Sequence, residues 1–226
     1  MPTRLKFNEK LVGKGLSTDA LVKKLKALHE ELAGLDQDHV DTKSLMSVHK
    51  DLIGAPILLH KDKGVKAYAA CCLSDLLRLF APDAPYTSNQ IQDIFEFFVK
   101  QLLIGLKGVD AMYYTQYYHL LESLSTVKSV VLICDLPAAD KLISLVFHDF
   151  FEIVKRSLPK QAEMFMADIL GALIEEAQTI PDEVMETLMG AFKGKASVRI
   201  HKHLSRVWTN ILTRFSQSKA LHIDSQ

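Results

Sequence analysis

Cys71 and Cys72 are neighbours in the chain, and the remaining cysteine is Cys134. Thiols could support nucleophilic, redox or metal chemistry. On a helix, adjacent side chains point about 100° apart. The vicinal pair therefore cannot chelate tetrahedrally by itself, and Cys134 adds only one ligand. All three are read as small buried hydrophobes, and too few for a disulfide framework. His201 and His203 are separated by about 200° of helical rotation and cannot share a metal. The other histidines fall singly along the chain and are read as surface or satisfied core groups. Gly13-Lys14-Gly15-Leu16-Ser17 lacks the earlier glycine and the preceding strand of a phosphate-binding loop. The acidic pair Glu175-Glu176 is expected to face solvent. No nucleophile–base pair is visible, so the chain is not expected to be an enzyme, to hold a metal or to need a cofactor.

Two features suit binding better than catalysis. Ala81, Pro82, Asp83, Ala84, Pro85 and Tyr86 form a string between two helical segments. Its two prolines fix the backbone and remove two hydrogen-bond donors, so a rigid, extended loop is predicted, one that meets a partner with little loss of entropy. The second feature is Lys195, Arg199, Lys202 and Arg206, which share one face of a predicted final helix opposite Ile200, Leu204, Val207, Ile211 and Phe215. That stripe is either a solvated face or a contact for nucleic-acid phosphates. The tyrosine-rich stretch Met112–Tyr118 reads as a helix contact face, although protein-binding surfaces use the same residues.

The elements that must carry these residues are helical. In 226 residues there are only 10 glycines and 7 prolines, too few for a sandwich of many tight turns. Ser17, Thr18 and Asp19 offer N-cap oxygens before Leu21, Leu25, Leu28, Leu32 and Leu35, which fall on one helix face. Gly34 is the predicted stop. A second segment carries Leu45, Val48, Leu52 and Ile53 and breaks at Gly54-Ala55-Pro56. A third, from about Val65, carries Ala69, Cys72, Leu76, Leu79 and Phe80 and ends at Ala81-Pro82. Ser88 is read as the cap of a fourth, with Ile91, Ile94, Phe95, Phe98 and Leu102 as its buried stripe. Further helices are predicted at 111–127, 140–157, 160–178, 182–192 and 196–216. Residues 129–136 are read as a short buried helix despite their β-branched content.

The sum is an all-α chain of about ten helices, packed as sequential antiparallel pairs. Asp62, the Val65-Lys66 pair, Ala69 and Leu73 match the second-helix pattern of HEAT repeats: a capped turn, a small residue for close helix approach and a leucine for the seam with the next unit. The expected architecture is a HEAT-repeat-like α-α superhelix over residues 17–216. A basic N-terminal extension (1–16) precedes it and a short tail (217–226) follows.

Charge is balanced overall, 27 Lys+Arg against 27 Asp+Glu, so no net field draws the molecule to nucleic acid or to an anionic membrane. Its distribution is uneven. Arg4, Lys6, Lys10, Lys14, Lys23, Lys24 and Lys26 make the start basic, and Lys193 through Lys219 do the same for the end. No run reaches the roughly 20 apolar residues of a membrane span. The first ten residues lack the apolar core of a secretory signal. A soluble intracellular protein is expected.

Asp62–Ser88, with Ala70-Cys71-Cys72-Leu73-Ser74-Asp75 running into Ala81-Pro82-Asp83-Ala84-Pro85-Tyr86-Thr87, resembles the N-terminal part of the cohesin-associated "precocious dissociation of sisters" proteins. Tyr118-His119-Leu120-Leu121-Glu122-Ser123-Leu124, followed by Val127-Lys128-Ser129, resembles the same family, in its fungal form. The resemblance covers about residues 17–192, and the pattern is not followed past Gly194. It implies a nuclear, chromatin-associated HEAT-repeat regulator of cohesin and sister-chromatid cohesion. It further implies that Ala81, Pro82, Asp83, Ala84, Pro85 and Tyr86 dock short motifs of a Wapl-type releasing factor and its competitors. The family's kleisin-binding surface lies mostly in later repeats, and its members are several times longer. The chain is therefore expected to be a fragment, a truncated product or a short paralogue. The alternative from a different class is a nucleic-acid contact module on chromatin DNA, using the basic ends.

Overall fold

The computed structural model describes residues 2–192 apart from Lys14 and Ser157. Nine α-helices lie among them: α1 (Thr18–Ala33), α2 (Met46–Leu52), α3 (Ala55–Leu58), α4 (Lys63–Phe80), α5 (Ser88–Gly105), α6 (Tyr114–Val127), α7 (Ala139–Val154), α8 (Lys160–Glu176) and α9 (Asp182–Phe192). Helices α1, α4, α6 and α8 pack in one row, and α5, α7 and α9 in a second. Across the two rows α5 touches α4 and α6, and α7 touches α8, but the more extensive packing runs along each row. This is the two-layer stacking of a HEAT-like superhelix, in which each unit covers the apolar face of its neighbour. No helix among the described residues is long and apolar enough to cross a membrane.

The leucine stripe of α1 does what its spacing predicts. Leu21, Leu25, Leu28 and Leu32 are all buried, and Leu35 follows them into the core just past the helix. Each such burial stabilises by roughly 1.5–3 kcal/mol. Ser17 caps α1 by accepting from the Ala20 N–H, and Gly34 ends it. Asp62 caps α4 by accepting from the Val65 N–H at 2.9 Å, as the repeat pattern requires. Ala69 and Leu73 are fully buried.

Several boundaries differ from the sequence reading. Thr87, not Ser88, caps α5: its Oγ1 accepts from the Gln90 N–H, while the Gln90 side chain accepts from the Thr87 N–H. That reciprocal pair is a capping box and outcompetes a lone serine. Ala55-Pro56 is not merely a break; Pro56 sits in the first turn of α3, where its missing N–H is harmless. Helix α6 starts three residues late, because Tyr113 takes a left-handed φ of 63°. Helices α7 and α8 end at Val154 and Glu176, ahead of 157 and 178. Ser129–Asp135 winds as a 3-10 helix. Its three-residue period puts Val130, Ile133 and then Leu136 on one buried face, which explains a β-branched run without a strand.

Two arginines tie the stack together. Arg78 near the end of α4 donates to the carbonyls of Leu35 (3.0 Å) and Leu32 (2.9 Å) at the C-terminal end of α1. Arg156, just past α7, donates to Leu103 and Leu106 at the end of α5. In each case a cation meets the negative pole of a helix and satisfies orphan carbonyls. The segment ahead of α1 lies along the same end of the stack. Thr3 bridges to Val40, the Glu31 carboxylate accepts from the Lys6 and Phe7 N–H groups, and Leu11 is buried.

Two tyrosines at the start of α6, Tyr113 just ahead of it and Tyr117 in its first turn, rest on glycines. A Cβ on Gly105 of α5 would lie under 3.0 Å from three carbons of the Tyr117 ring. One on Gly64 of α4 would lie 2.5 Å from the Tyr113 hydroxyl oxygen. Here glycine is needed for close approach.

Candidate functional site

The proline string joins α4 to α5 as a short corner held at both ends. At its start, Ala81 leaves the helix in extended conformation, and its carbonyl accepts from the Gln37 side chain at 2.7 Å. At its end, the Thr87–Gln90 box fixes the first turn of α5. The Ala81–Pro82 peptide bond is cis. Between these anchors Pro82 and Asp83 are exposed, while Ala81, Ala84, Pro85 and Tyr86 are half-buried.

Asp83 makes no hydrogen bond or ion pair with any described residue. It caps nothing; Thr87 has that task. Gln37 also links the corner to a short 3-10 turn carrying the exposed carboxylates Asp36 and Asp38. The hydrogen bond from His39, 2.8 Å away, holds the Asp36 carboxyl below its ordinary value, and the same bond raises His39. The corner is thus acidic, and a basic side chain of a partner would complement it.

Tyr86, the last residue of the string, is turned largely inward. Its ring packs 5.7 Å from that of His49, and its hydroxyl is buried without a hydrogen-bond partner. Burial, helped by the nearby Cys72, pushes that hydroxyl well above the usual tyrosine value. An unpaired buried hydroxyl costs about 1–3 kcal/mol. Tyr86→Phe should therefore raise the melting temperature by about 2–4 °C, on the order of 1 kcal/mol in a chain of this size. A lower melting temperature in a thermal scan would show that the hydroxyl has a stabilising partner after all.

The surroundings of the three cysteines disfavour the thiolate. Burial raises the thiols of Cys71 and Cys72 well above the ordinary range. Cys134 is half-exposed rather than buried as expected, yet burial, with Glu176 and Asp135 nearby, pushes its thiol up to about 11. None is a thiolate at neutral pH. Glu175 and Glu176 face solvent as expected. Of the tyrosine-rich stretch, Tyr117 is buried, Met112 is exposed, and the others are mostly half-buried. Lys195, Arg199, Lys202 and Arg206, together with His201 and His203, lie outside the described residues.

One cluster escaped the sequence reading, which placed the histidines as scattered groups. His29 of α1, Asp75 of α4 and His119 of α6 meet at the seam of one row. Asp75 is 1% exposed, with Oδ2 at 2.9 Å from His29 Nδ1 and Oδ1 at 3.1 Å from His119 Nε2. The two imidazoles stand edge-on, their centroids 4.7 Å apart. Residues 29, 75 and 119 are far apart in sequence, so only the stacking of α1, α4 and α6 unites them.

The two-layer helical stack has counterparts among known proteins. The family model described as "Sister chromatid cohesion protein PDS5 protein" matches residues 19–217. The chain belongs to the PDS5 family. The match continues past Gly194, where the sequence reading lost the pattern. Sister chromatid cohesion protein pds5 of Schizosaccharomyces pombe is 42% identical over 184 residues, covering 81% of this chain and 15% of that protein. PDS5 of Saccharomyces cerevisiae is 40% identical over 193 residues, and the human PDS5 homolog A 31% identical over 176. The chain spans about 15% of the length of these fungal PDS5 proteins. It also resembles a chain in the solved structure described as "Structure of the Pds5-Scc1 complex and implications for cohesin function". There the TM-score is 0.83 and the identity 34%, over 96% of this chain and 36% of the other.

Proposed function

We propose that this chain is a non-enzymatic protein-binding scaffold in the regulation of cohesin and sister-chromatid cohesion, acting in the nucleus on chromosomes. In this reading the corner formed by Ala81, Pro82, Asp83, Ala84, Pro85 and Tyr86 docks short basic motifs of Wapl-type partners. The observation that carries it is Asp83: exposed, without a partner among the described residues, on a loop pinned at both ends. A carboxylate held out in this way contributes little to folding and is ready to pair. Because its loop is already ordered, a partner loses little entropy on binding. The half-buried Tyr86 ring forms the floor of the corner rather than a projecting anchor. Membership in the PDS5 family and likeness to a chain of the Pds5-Scc1 complex support cohesin as the larger partner.

Asp83→Lys tests the reading. It replaces attraction by like-charge repulsion, so a Wapl-type peptide should bind at least about ten-fold more weakly, roughly 1.4 kcal/mol. The melting temperature should stay within about 1 °C of the parent, since surface charges seldom matter more. Calorimetric titration and a thermal scan on the same protein give both numbers. Unchanged affinity would overturn the docking role of the corner.

A further inference from the structure

We propose that His29, Asp75 and His119 form a binding site for one divalent cation of the Zn²⁺ and Co²⁺ class, fastening α1, α4 and α6 together. The three donor atoms, His29 Nδ1, an Asp75 oxygen and His119 Nε2, all lie within 4.8 Å of one another. Two imidazoles and a carboxylate are the donor set that borderline divalent ions favour, whereas Mg²⁺ and Ca²⁺ call for more oxygens. Metal–ligand bonds of roughly 2.0–2.1 Å at the tetrahedral angle place donors about 3.3 Å apart. The two ring nitrogens now stand against different oxygens of Asp75, His29 Nδ1 2.9 Å from Oδ2 and His119 Nε2 3.1 Å from Oδ1, so an ion seated between the rings draws on both carboxylate oxygens.

Access and proton balance are both workable. Asp75 is buried, but the side chains of His29 and His119 retain 15% and 30% exposure, which leaves a fourth position open to water. An ionised carboxylate has no hydrogen to give, so both ring nitrogens now donate to it. On metal binding each nitrogen presents its lone pair instead. A neutral ring moves its proton to its other nitrogen, and an imidazolium releases it to solvent. Affinity therefore falls in acid.

The neighbouring charged and titratable groups permit this. The Arg78 guanidinium lies 4.0 Å from Asp75 Oδ1 and opposes a cation. Its other donors, however, are engaged with the Leu32 and Leu35 carbonyls, so part of its charge is spent on the negative end of α1. Tyr68, with its ring 6.3 Å from His29, brings no charge at neutral pH, and Cys71 is a buried neutral thiol.

The test uses the untagged 226-residue chain, stripped with a chelator and titrated with Co²⁺, then Zn²⁺. The expected result is a saturable one-to-one visible absorption of low-symmetry cobalt, removed by Zn²⁺, with a melting temperature that rises with added Zn²⁺. His119→Gln and His29→Gln should each weaken Co²⁺ binding at least ten-fold while circular dichroism still reports a helical fold. The paired substitution of His201→Gln and His203→Gln should leave binding unchanged. Absence of the cobalt signal, its persistence in His119→Gln, or its loss in the His201/His203 variant would each overturn the proposal.

Discussion

Gly105→Ala lowers the stability of the chain by roughly 2–3 kcal/mol, a fall of about 4–12 °C in melting temperature. Alanine is ordinarily the better helix former, by about 1 kcal/mol, so the sign itself is diagnostic. The added methyl would sit under 3.0 Å from the Tyr117 ring. That ring is only 2% exposed and has nowhere to swing. Either α6 lifts off α5 or the tyrosine leaves its rotamer, and both disturb the seam between the two rows. Combining Gly105→Ala with Tyr117→Leu gives the confirming result: because the second change removes the obstacle, the pair should lose less than the sum of the single losses. Strict additivity in a thermal scan would show that the two residues do not share a seat.

Asp75→Asn is the second large effect, about 2–4 kcal/mol at neutral pH in chelator-treated buffer, because two donors lose a charged acceptor in a buried place. Its pH dependence follows from the direction of the Asp75 shift. Burial by itself would raise the carboxyl, but hydrogen bonds from His119 and His29 outweigh it and hold the group below its ordinary 3.8. A depressed folded value means that the unfolded chain takes up the proton more readily. The contribution is complete above about 3.8 and is lost as pH falls below it. The gap in stability between parent and variant should narrow in that acid range. Denaturant titrations from neutral pH down to the lowest pH of cooperative unfolding would reveal it, and a constant gap would contradict the network.

The helical stack was legible because its signals are local and redundant. The leucines of α1 recur on one face, Asp62 stands where a cap belongs, and the Ala69–Leu73 spacing marks a repeat seam. Where two signals competed, pattern alone misled: Thr87 and Ser88 are both good caps, and only the reciprocal bond with Gln90 decides between them. The corner between α4 and α5 could be located from Pro82 and Pro85, but not the inward turn of Tyr86, which depends on His49 of α2. The His29–Asp75–His119 cluster was beyond reach, since nothing in the spacing of residues from three helices announces that they converge. Arg78 and Arg156 are of the same kind; each looks like an ordinary terminal cation until the helix end it closes is in place.

The glycine seats bear on how such a stack can deform. Tyr113 and Tyr117 stand four residues apart, one at the brink of α6 and the other a turn inside, and they engage α4 and α5 respectively. Helix α6 is thereby indexed against both rows at once, like a key held by two notches. Sliding it by even one residue, about 1.5 Å, would drive a ring toward backbone that has no room for it. Small axial shear, the usual way packed helices accommodate a load, is blocked at this position. Sliding of α6 against α4 and α5 is restricted here, and elastic give must come from other seams.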